Sequence, residues 1–330
     1  MILGVVLAAV VPVTAGATVS TLAGCPLFPP DSPWNTRVDT APVDARSDEY
    51  IRRSGADRNL STSFRRQRGW GVPINVVGPS QPTVRLPEID QWTAPGDYPI
   101  PRSPEIQPSA DAHMLILQRG TCRLYELYGA HRVNGRWRAR QATIWDTTKN
   151  EVLPPNVVSA VAAGTPMTAG LLNVRDARRR EITHALNFTL PYIQRGWVYP
   201  ASHTDGATTD PGLLPMGSRI RLKASVSIEH LPRQAGIIAT ALKRYGMILS
   251  DTSGRPDGDQ YDGFELQGSD TKYWNEASRR ALYSLHLRDF EVVEHAGPIQ
   301  YLDYTQIEHR RMLPGDPPST TGAAAPGATR

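Results

Sequence analysis

The pair Asn134-Gly135 lies between two stretches of alternating apolar and polar residues and strongly constrains how this chain can fold. A two-residue type I′ turn needs positive φ at both central positions, which Asn and Gly tolerate, so the pair predicts a β-hairpin. Arg119-Gly120 forms a second turn signal, and the flanking segments are HMLILQ, CRLYELYGAHRV and RWRARQATIW. This region therefore predicts a meander of antiparallel strands.

Three later segments also have strand character, namely ITHALNFTL, GWVYPA and SRIRLKASVSI. In the last segment apolar and polar residues alternate, which predicts one packed and one polar face. One helix is predicted in LPRQAGIIATALKRYG, with Pro232 near its first turn and Gly246 as its stop. We therefore expect a mainly β protein with an antiparallel β-sandwich or jelly-roll-like core and one packed helix.

The chain divides into four predicted regions. Residues 1–17 have an apolar run and Ala15-Gly16-Ala17 as a cleavage site, which is typical of a signal peptide. Residues 18–110 are rich in proline, which cannot donate to a sheet ladder, so they predict a long wrap around the core. Residues 111–312 form the predicted β-rich core domain. Residues 313–330 have low complexity and predict a disordered tail.

The two cysteines allow two exclusive interpretations. Leu22-Ala23-Gly24-Cys25 has the form of a lipobox, which would anchor an exported protein by a lipid on Cys25. Alternatively, Cys25 pairs with Cys122, as expected for two cysteines in an oxidising compartment. Either way the protein is expected to be exported. No later apolar stretch is long enough to predict a transmembrane helix.

Two carboxylates of the meander are candidate catalytic groups. Glu126 shares its strand face with Cys122, Leu124 and Tyr128, and burial there would raise its pKa and suit it to general-acid catalysis. The alternative is a core carboxylate paired with an arginine. Asp146 follows Trp145, whose indole could stack on a sugar ring, although a Trp beside an acid is also a common core arrangement.

The histidines give three further candidates. His184 lies on the apolar face of its predicted strand, as either a hydrogen-bonded core group or a site residue, and His203 lies in a turn-rich strand end where binding groups concentrate. We expect these two to lie together near a carboxylate. His113 follows Asp111 at a spacing that puts both on one side of a strand, so the acid could orient the imidazole or only terminate the strand.

The remaining candidates are an acid, an aromatic residue and a basic stripe. Asp251 ends the strand that follows the helix, where it could point into a crevice or simply form a turn. Tyr199 offers a stacking surface. Arg219, Arg221 and Lys223 alternate along one strand and could bind an acidic glycan, or they could form a solvated sheet face.

From residue 25 to about residue 295 the chain resembles a family of secreted, mostly actinobacterial proteins that is known chiefly as uncharacterised. The resemblance rests on the segments CPLFPPDSPWNTRVD, CRLYELYGA, TIWD, THALNFT, PASH, LPMGSRIRLKASVSI and ALKRYGMILSD. The chain departs from the family pattern at Asn187 and Ser202, which replace arginines, at Val161, which replaces an acid, and at the segment 250–253. The resemblance also implies the pairing of Cys25 with Cys122.

Three functions follow as hypotheses. The first is a secreted enzyme that cleaves an extracellular polysaccharide or oligosaccharide, as a glycoside hydrolase or polysaccharide lyase. The second is a non-catalytic glycan-binding or cell-envelope module, and the third is a structural envelope protein. No cofactor is expected, because the sequence contains no dinucleotide fingerprint, P-loop or G-x-S-x-G elbow. The histidines lack the spacing of a zinc motif, and no basic and aromatic pattern indicates nucleic-acid binding.

Overall fold

The computed structural model describes residues 19–64, 71–86, 94, 96–179, 181–253, 263–269 and 273–301. The predicted signal peptide and the predicted tail lie outside the described residues. The strands are β1 Thr21–Leu22, β2 Cys25–Pro26, β3 Ser61–Ser63, β4 Ile74–Val77, β5 Val84–Leu86, β6 Gly96–Tyr98, β7 Met114–Gln118, β8 Arg123–Tyr128, β9 His131–Val133, β10 Arg136–Arg138, β11 Gln141–Asp146, β12 Leu186–Leu190, β13 Gly196–Trp197, β14 Arg219–Leu222, β15 Met247–Thr252, β16 Glu265–Gln267, β17 Phe290–Val292 and β18 Gln300–Tyr301. The α-helices are α1 Ser47–Arg53, α2 Met167–Gly170, α3 Val174–Arg178, α4 Arg233–Arg244 and α5 Glu276–Leu282, and a 3-10 helix spans Leu287–Asp289.

Two sheets organise the described part of the chain. The first contains four strands in the order β11-β8-β7-β4, and the second contains six in the order β17-β14-β15-β12-β16-β3. The mainly β class is confirmed. Both sheets are mixed rather than purely antiparallel, because β4 pairs with β7, β12 with β15 and β16 with β3 in parallel. The described residues also contain five α-helices where the sequence predicted one packed helix.

The predicted meander is present. Asn134 and Gly135 have φ angles of 50° and 77°, as a type I′ turn requires, and they join β9 to β10. On either side of this hairpin β8 pairs with β7 and with β11. The helix predicted after residue 231 is α4, which follows Pro232 and is succeeded by Gly246 at a φ of 67°.

The Pro-rich region does more than cover the core. Its short strands β3 and β4 each add a parallel edge strand, β3 to the six-stranded sheet and β4 to the four-stranded sheet. The edges of both sheets are therefore completed by residues that precede the core region predicted from the sequence.

Apolar side chains from both sheets meet in the space between them, which we call the inter-sheet space. Leu117, Leu124 and Trp145 project from the four-stranded sheet into the same cluster as Ala185 and Ile248. The outer faces are covered separately. Helix α4 packs on the six-stranded sheet, and hairpin β5–β6 packs on the four-stranded sheet.

A disulfide between Cys25 and Cys122 lies at the apolar end of the inter-sheet space, with a Cα–Cα distance of 5.3 Å. This confirms the predicted pairing. A disulfide-bonded sulfur has no thiol left for lipid attachment, so the pairing excludes the lipid-anchored alternative at Cys25. Among the described residues no helix is both long and apolar enough to cross a membrane.

Candidate functional site

The opposite, polar end of the inter-sheet space contains two adjoining cavities of about 370 Å³ and 190 Å³. Asp111, His113, Asp251 and Thr252 line both of them and form their common wall. Together the two cavities make one feature, which we call the inter-sheet cleft. The larger cavity also has His203, Asp205, Tyr128 and Gln141 in its lining, and the smaller has Glu265, Gln267, Thr189 and Ser253.

The four-stranded sheet positions His113 in the cleft. This residue immediately precedes β7 and continues the inward-facing row of Leu115 and Leu117. Its ring contacts Tyr128 at the end of β8, with 5.4 Å between the ring centroids. The Gly129 amide donates a hydrogen bond of 2.7 Å to the carbonyl of Asp111, which holds the start of β7 against the end of β8.

A register shift in the six-stranded sheet positions Asp251. Phe188 pairs with Leu249 but Thr189 pairs with Asp251, so Ser250 is an extra residue on β15. Strict alternation would place Asp251 on the same face as Met247 and Leu249, which pack in the helix-covered core. The bulge instead turns the carboxyl into the cleft, which is a common use of bulges beside functional sites.

A loop between β11 and α2 holds His203 and Asp251 in place through the backbone of Ala162. The Ala162 carbonyl accepts a hydrogen bond from His203 Nδ1 at 2.8 Å, and the Ala162 amide donates to the Asp251 carboxyl. The neutral His203 ring therefore carries its proton on Nδ1. Gly164 is required in this loop, because at its φ of 67° a Cβ atom would lie 2.1 Å from Ser202 Oγ.

Burial keeps both cleft histidines neutral at neutral pH. It lowers the pKa of His113 to about 4, and the Asp111 carboxylate only partly opposes this effect. Burial also lowers the pKa of His203, against the opposing effects of its hydrogen bond to Ala162 and of Asp205. Neutral imidazoles can exchange hydrogen bonds with uncharged hydroxyl groups of a ligand.

Three of the cleft carboxyls have pKa values that are shifted in the opposite direction. Burial raises the pKa of Asp251 well above its usual range, and the charges of Asp205 and Asp111 raise it further. Burial also raises the pKa values of Asp205 and Glu265. The residue Asp205 reaches solvent at the cleft mouth, but its carboxyl is packed against Thr252, whose hydroxyl donates to it. The proton on Asp251 is therefore held in a site that disfavours its loss.

The His113 side chain is buried, with only 5% of the residue exposed, and its Nδ1 has no hydrogen-bond partner. A buried polar atom left unpaired costs about 1–3 kcal/mol, so native proteins rarely tolerate one without a ligand or water to satisfy it. Because His113 lines both cavities, a water or a ligand in the cleft could satisfy this atom. No group of His, Cys, Asp or Glu among the described residues is arranged to hold a metal ion.

Glu126, predicted as a catalytic acid, lies in the core behind the cleft and has no exposed surface. Its Oε2 accepts from Trp145 Nε1 at 3.1 Å and from the Met167 amide at 2.9 Å. Its Oε1 accepts from the amide and the hydroxyl of Thr168 at 2.8 and 2.7 Å. Both oxygens are therefore occupied in joining β8 and β11 to the first turn of α2, which corrects the expectation of a reacting group or an arginine partner.

Glu126→Gln is expected to lower the free energy of unfolding by about 1–3 kcal/mol, because in either amide orientation at least one buried N–H donor faces an NH₂ group and an unsatisfied donor costs about that much. The Thr168 hydroxyl can rotate and accept from the NH₂ group instead. Urea denaturation measures the loss. The exposed Glu229→Gln is the matched control and should change stability little. A loss below about 0.5 kcal/mol would contradict the assigned role of Glu126, since that is within the range of ordinary surface substitutions.

His184 is also outside the cleft, contrary to the expectation that it shares a site with His203. It is fully buried, and its Nδ1 donates to the Ala185 carbonyl at 2.8 Å. Its Nε2 lies 3.1 Å from Asp176 Oδ2, so both ring nitrogens face acceptors. Burial opposes the charged ring, but the Asp176 carboxylate outweighs it and raises the pKa of His184. The residue is therefore a core group paired with Asp176, and this pairing favours the charged form of the ring.

The His184–Asp176 pair predicts a pH-dependent contribution to stability. A raised folded-state pKa means that the contribution is complete below the unfolded value of 6.5 and is lost as pH rises through the folded value. The stability advantage of the wild type over His184→Gln should thus be largest near pH 6 and shrink toward pH 9. Denaturation curves at each pH measure it, with the exposed His230→Gln as control. An advantage that grows with pH would contradict the charged assignment.

The other predicted meander residues are not in the cleft. Trp145 is 1% exposed and its indole N–H is bonded to Glu126, so it has no free face for a sugar. Asp146 ends β11 in a turn, where its carboxylate accepts from Thr148 and pairs with Lys149 at 3.2 Å. Tyr199 is 44% exposed and lines a separate cavity of about 220 Å³.

Arg219, Arg221 and Lys223, the predicted basic stripe, form neither a solvated face nor an open anion-binding surface. Strand β14 ends at Leu222, before Lys223, and its two arginines bind the N-terminal segment. Arg219 donates to the carbonyls of Pro33 and Thr36 at 2.8 and 2.7 Å. Arg221 donates to the carbonyls of Val38 and Ala41 and pairs with Glu291. We call these contacts the arginine clasp. Lys223, beyond the strand end, donates to the Arg288 carbonyl at 2.9 Å.

The structure thus gathers three of the predicted site residues, His113, His203 and Asp251, in one cleft. It adds carboxyls that the sequence interpretation missed, Asp205 and Glu265. Asp205 had a detectable signal, since it follows His203 within the same turn-rich loop. Glu265 had none, because a single acid in a short strand does not reveal which face is buried.

The fold and the cleft together define a mainly β protein whose two sheets carry a cleft lined with carboxyl groups and neutral histidines. The chain matches no protein-family model, and no curated protein and no solved structure is detectably similar to it.

Proposed function

We propose that the protein is an exported enzyme that hydrolyses glycosidic bonds in an extracellular polysaccharide or oligosaccharide. The observation that carries this proposal is the convergence of Asp251, Asp205 and Asp111 with two neutral histidines in one cleft. Glycosidases use two carboxyl groups on either side of the scissile bond, one protonated and one ionised. The volume of the larger cavity, about 370 Å³, is within the range of about 300–1,000 Å³ that small-molecule sites occupy.

Asp251 is assigned as the general acid. Its carboxyl lies on the wall shared by both cavities, so a glycosidic oxygen at this position would have one sugar residue in each cavity. The raised pKa favours the protonated carboxyl, which can transfer its proton to the leaving oxygen. A raised pKa in a cleft, caused by burial and by like charges, is a physical marker of a functional carboxyl.

The second carboxyl is Asp111 or Asp205, both at the cleft mouth. In its ionised form it would take a proton from the attacking water, or attack the anomeric carbon directly, while the bond to the leaving oxygen breaks. His113 and His203 would position the sugar hydroxyls, since both rings are held neutral by burial. Gln141 and Thr252 add further polar contacts in the lining of the larger cavity.

Hydrolysis fits the lining better than elimination. A polysaccharide lyase abstracts the proton next to the carboxylate of a uronic acid, and that carboxylate needs positive charge around it. The described lining instead presents the carboxyl groups of Asp111, Asp205, Asp251 and Glu265, and it contains no Lys or Arg that would neutralise a uronate. Export is supported by the apolar segment that precedes the described residues and by the disulfide.

The test is a panel of purified neutral, amino and uronate polysaccharides incubated with the full chain, followed by analysis of the products. We expect new reducing ends without the ultraviolet absorbance of unsaturated sugars. Unsaturated products would indicate a lyase instead. Binding without cleavage of any polymer would favour the non-catalytic glycan-binding alternative.

A further inference from the structure

We propose that the larger cavity of the inter-sheet cleft selects a sugar that bears a free protonated amine. The inference rests on the proposed function and names the substrate class of that same site. It follows from which charged groups face the larger cavity and from the unpartnered nitrogen of His113.

Three elements that meet at this cavity each contribute a carboxyl group and no cation. Asp111 comes from the segment before β7, Asp205 from the loop after β13, and Asp251 from β15. The two histidines that face them from the same elements are held neutral by burial. Within the described part of the chain, no Lys or Arg lines either cavity of the cleft. Asp111 and Asp205 contribute negative charge here when they are ionised, and no cation offsets it, so the local field favours a cationic ligand group over a neutral one and opposes an anionic one.

An ammonium group fits this arrangement by its hydrogen bonding as well as its charge. It has three donors and no acceptor, so it can be shared among several carboxylate oxygens. In the unliganded cleft the charges of Asp205 and Asp111 raise the pKa of Asp251. A cation between these groups would relieve that repulsion, and it would also make Asp251 a stronger acid once the substrate is bound.

His113 supplies the observation that is independent of the acids. The residue lies in the wall common to both cavities, and its buried Nδ1 has no hydrogen-bond partner. A sugar amine that is held by the carboxyls would bring ring hydroxyls on adjacent carbons into the same cavity, where one of them can pair with this nitrogen. The cleft therefore combines a cation-binding mouth with a hydroxyl-binding wall.

The test is a titration of the full chain at pH 7 with glucosamine, N-acetylglucosamine and glucuronate, followed by NMR of the histidine ring signals. Glucosamine should shift the signals of His113 and His203 and bind about tenfold more tightly than N-acetylglucosamine, which corresponds to about 1.4 kcal/mol. Glucuronate should bind most weakly. Added salt should weaken glucosamine binding more than binding of the neutral sugar.

Asp205→Asn should reduce the preference for glucosamine to about twofold or less, whereas Asp48→Asn, the same change on exposed helix α1, should preserve it. Equal affinity for the amine and its acetylated form, a preference for glucuronate, or no shift with glucosamine would overturn the inference. This outcome is separable from failure of the proposed function. Cleavage of a neutral polymer without amine preference contradicts only the inference, and amine-selective binding without cleavage of any polymer contradicts only the enzyme.

Discussion

Asp251→Asn is expected to lower the turnover of a cleaved glycan by about 10²–10⁴-fold, the usual contribution of a positioned general acid or base. The amide has nearly the same shape but cannot donate a proton to the leaving oxygen. Initial rates at saturating substrate measure the loss, and Asp48→Asn provides a matched removal of one carboxylate outside the cleft. Full activity of Asp251→Asn would refute the assignment of the acid.

The same substitution should not destabilise the fold. Asp251 has a folded-state pKa above its unfolded value of 3.8, so the wild type loses stability as pH rises above about 4, and the amide avoids that loss. We expect Asp251→Asn to be at least as stable as the wild type at pH 7, with no advantage at pH 3. A purely structural aspartate would give the opposite result, which separates a functional role from a structural one.

Replacement of both Cys25 and Cys122 by alanine is expected to lower the free energy of unfolding by about 4–5 kcal/mol. The bond joins residues 97 apart in sequence, and the chain-entropy model gives about 4.7 kcal/mol for a loop of about 100 residues. Removal of this constraint lowers stability. Loss of the packed sulfur of Cys25, a residue that is 1% exposed, lowers it further.

Urea denaturation of the oxidised wild type and the double variant measures this difference. If the variant does not fold, the wild type in graded concentrations of reductant gives the same comparison. A change below about 1 kcal/mol would mean that the unfolded chain is already restricted in this region, for example by its many prolines.

The predictions that the structure confirms rest on patterns within short segments of the sequence. Asn134-Gly135 fixes its own turn, and the apolar spacing before Gly246 is sufficient for α4. Pairing between distant segments was not visible in the same way. The short strand β4 joins β7 in parallel across an intervening hairpin, and no periodicity in four residues could reveal that partner.

The direction in which the site residues point could not be predicted from the alternation of side chains along a strand alone. The extra residue Ser250 reverses the face on which Asp251 lies. Glu126 was correctly placed on an inward face, but its four donors come from Trp145 and from α2, a helix that the sequence did not signal. Arg219 and Arg221 alternate as a solvated stripe would, yet the Pro-rich segment covers them.

The arginine clasp has a consequence for resistance to proteolysis. The segment from residue 25 to residue 41 is fixed at one end by a covalent bond and at the other by arginine contacts to Pro33, Thr36, Val38 and Ala41. A single proteolytic cut between Cys25 and Pro33 would leave one piece bonded to β8 and the other bound on β14. The nicked molecule would thus stay assembled, and its cleft, at the far end of the inter-sheet space, would keep its geometry.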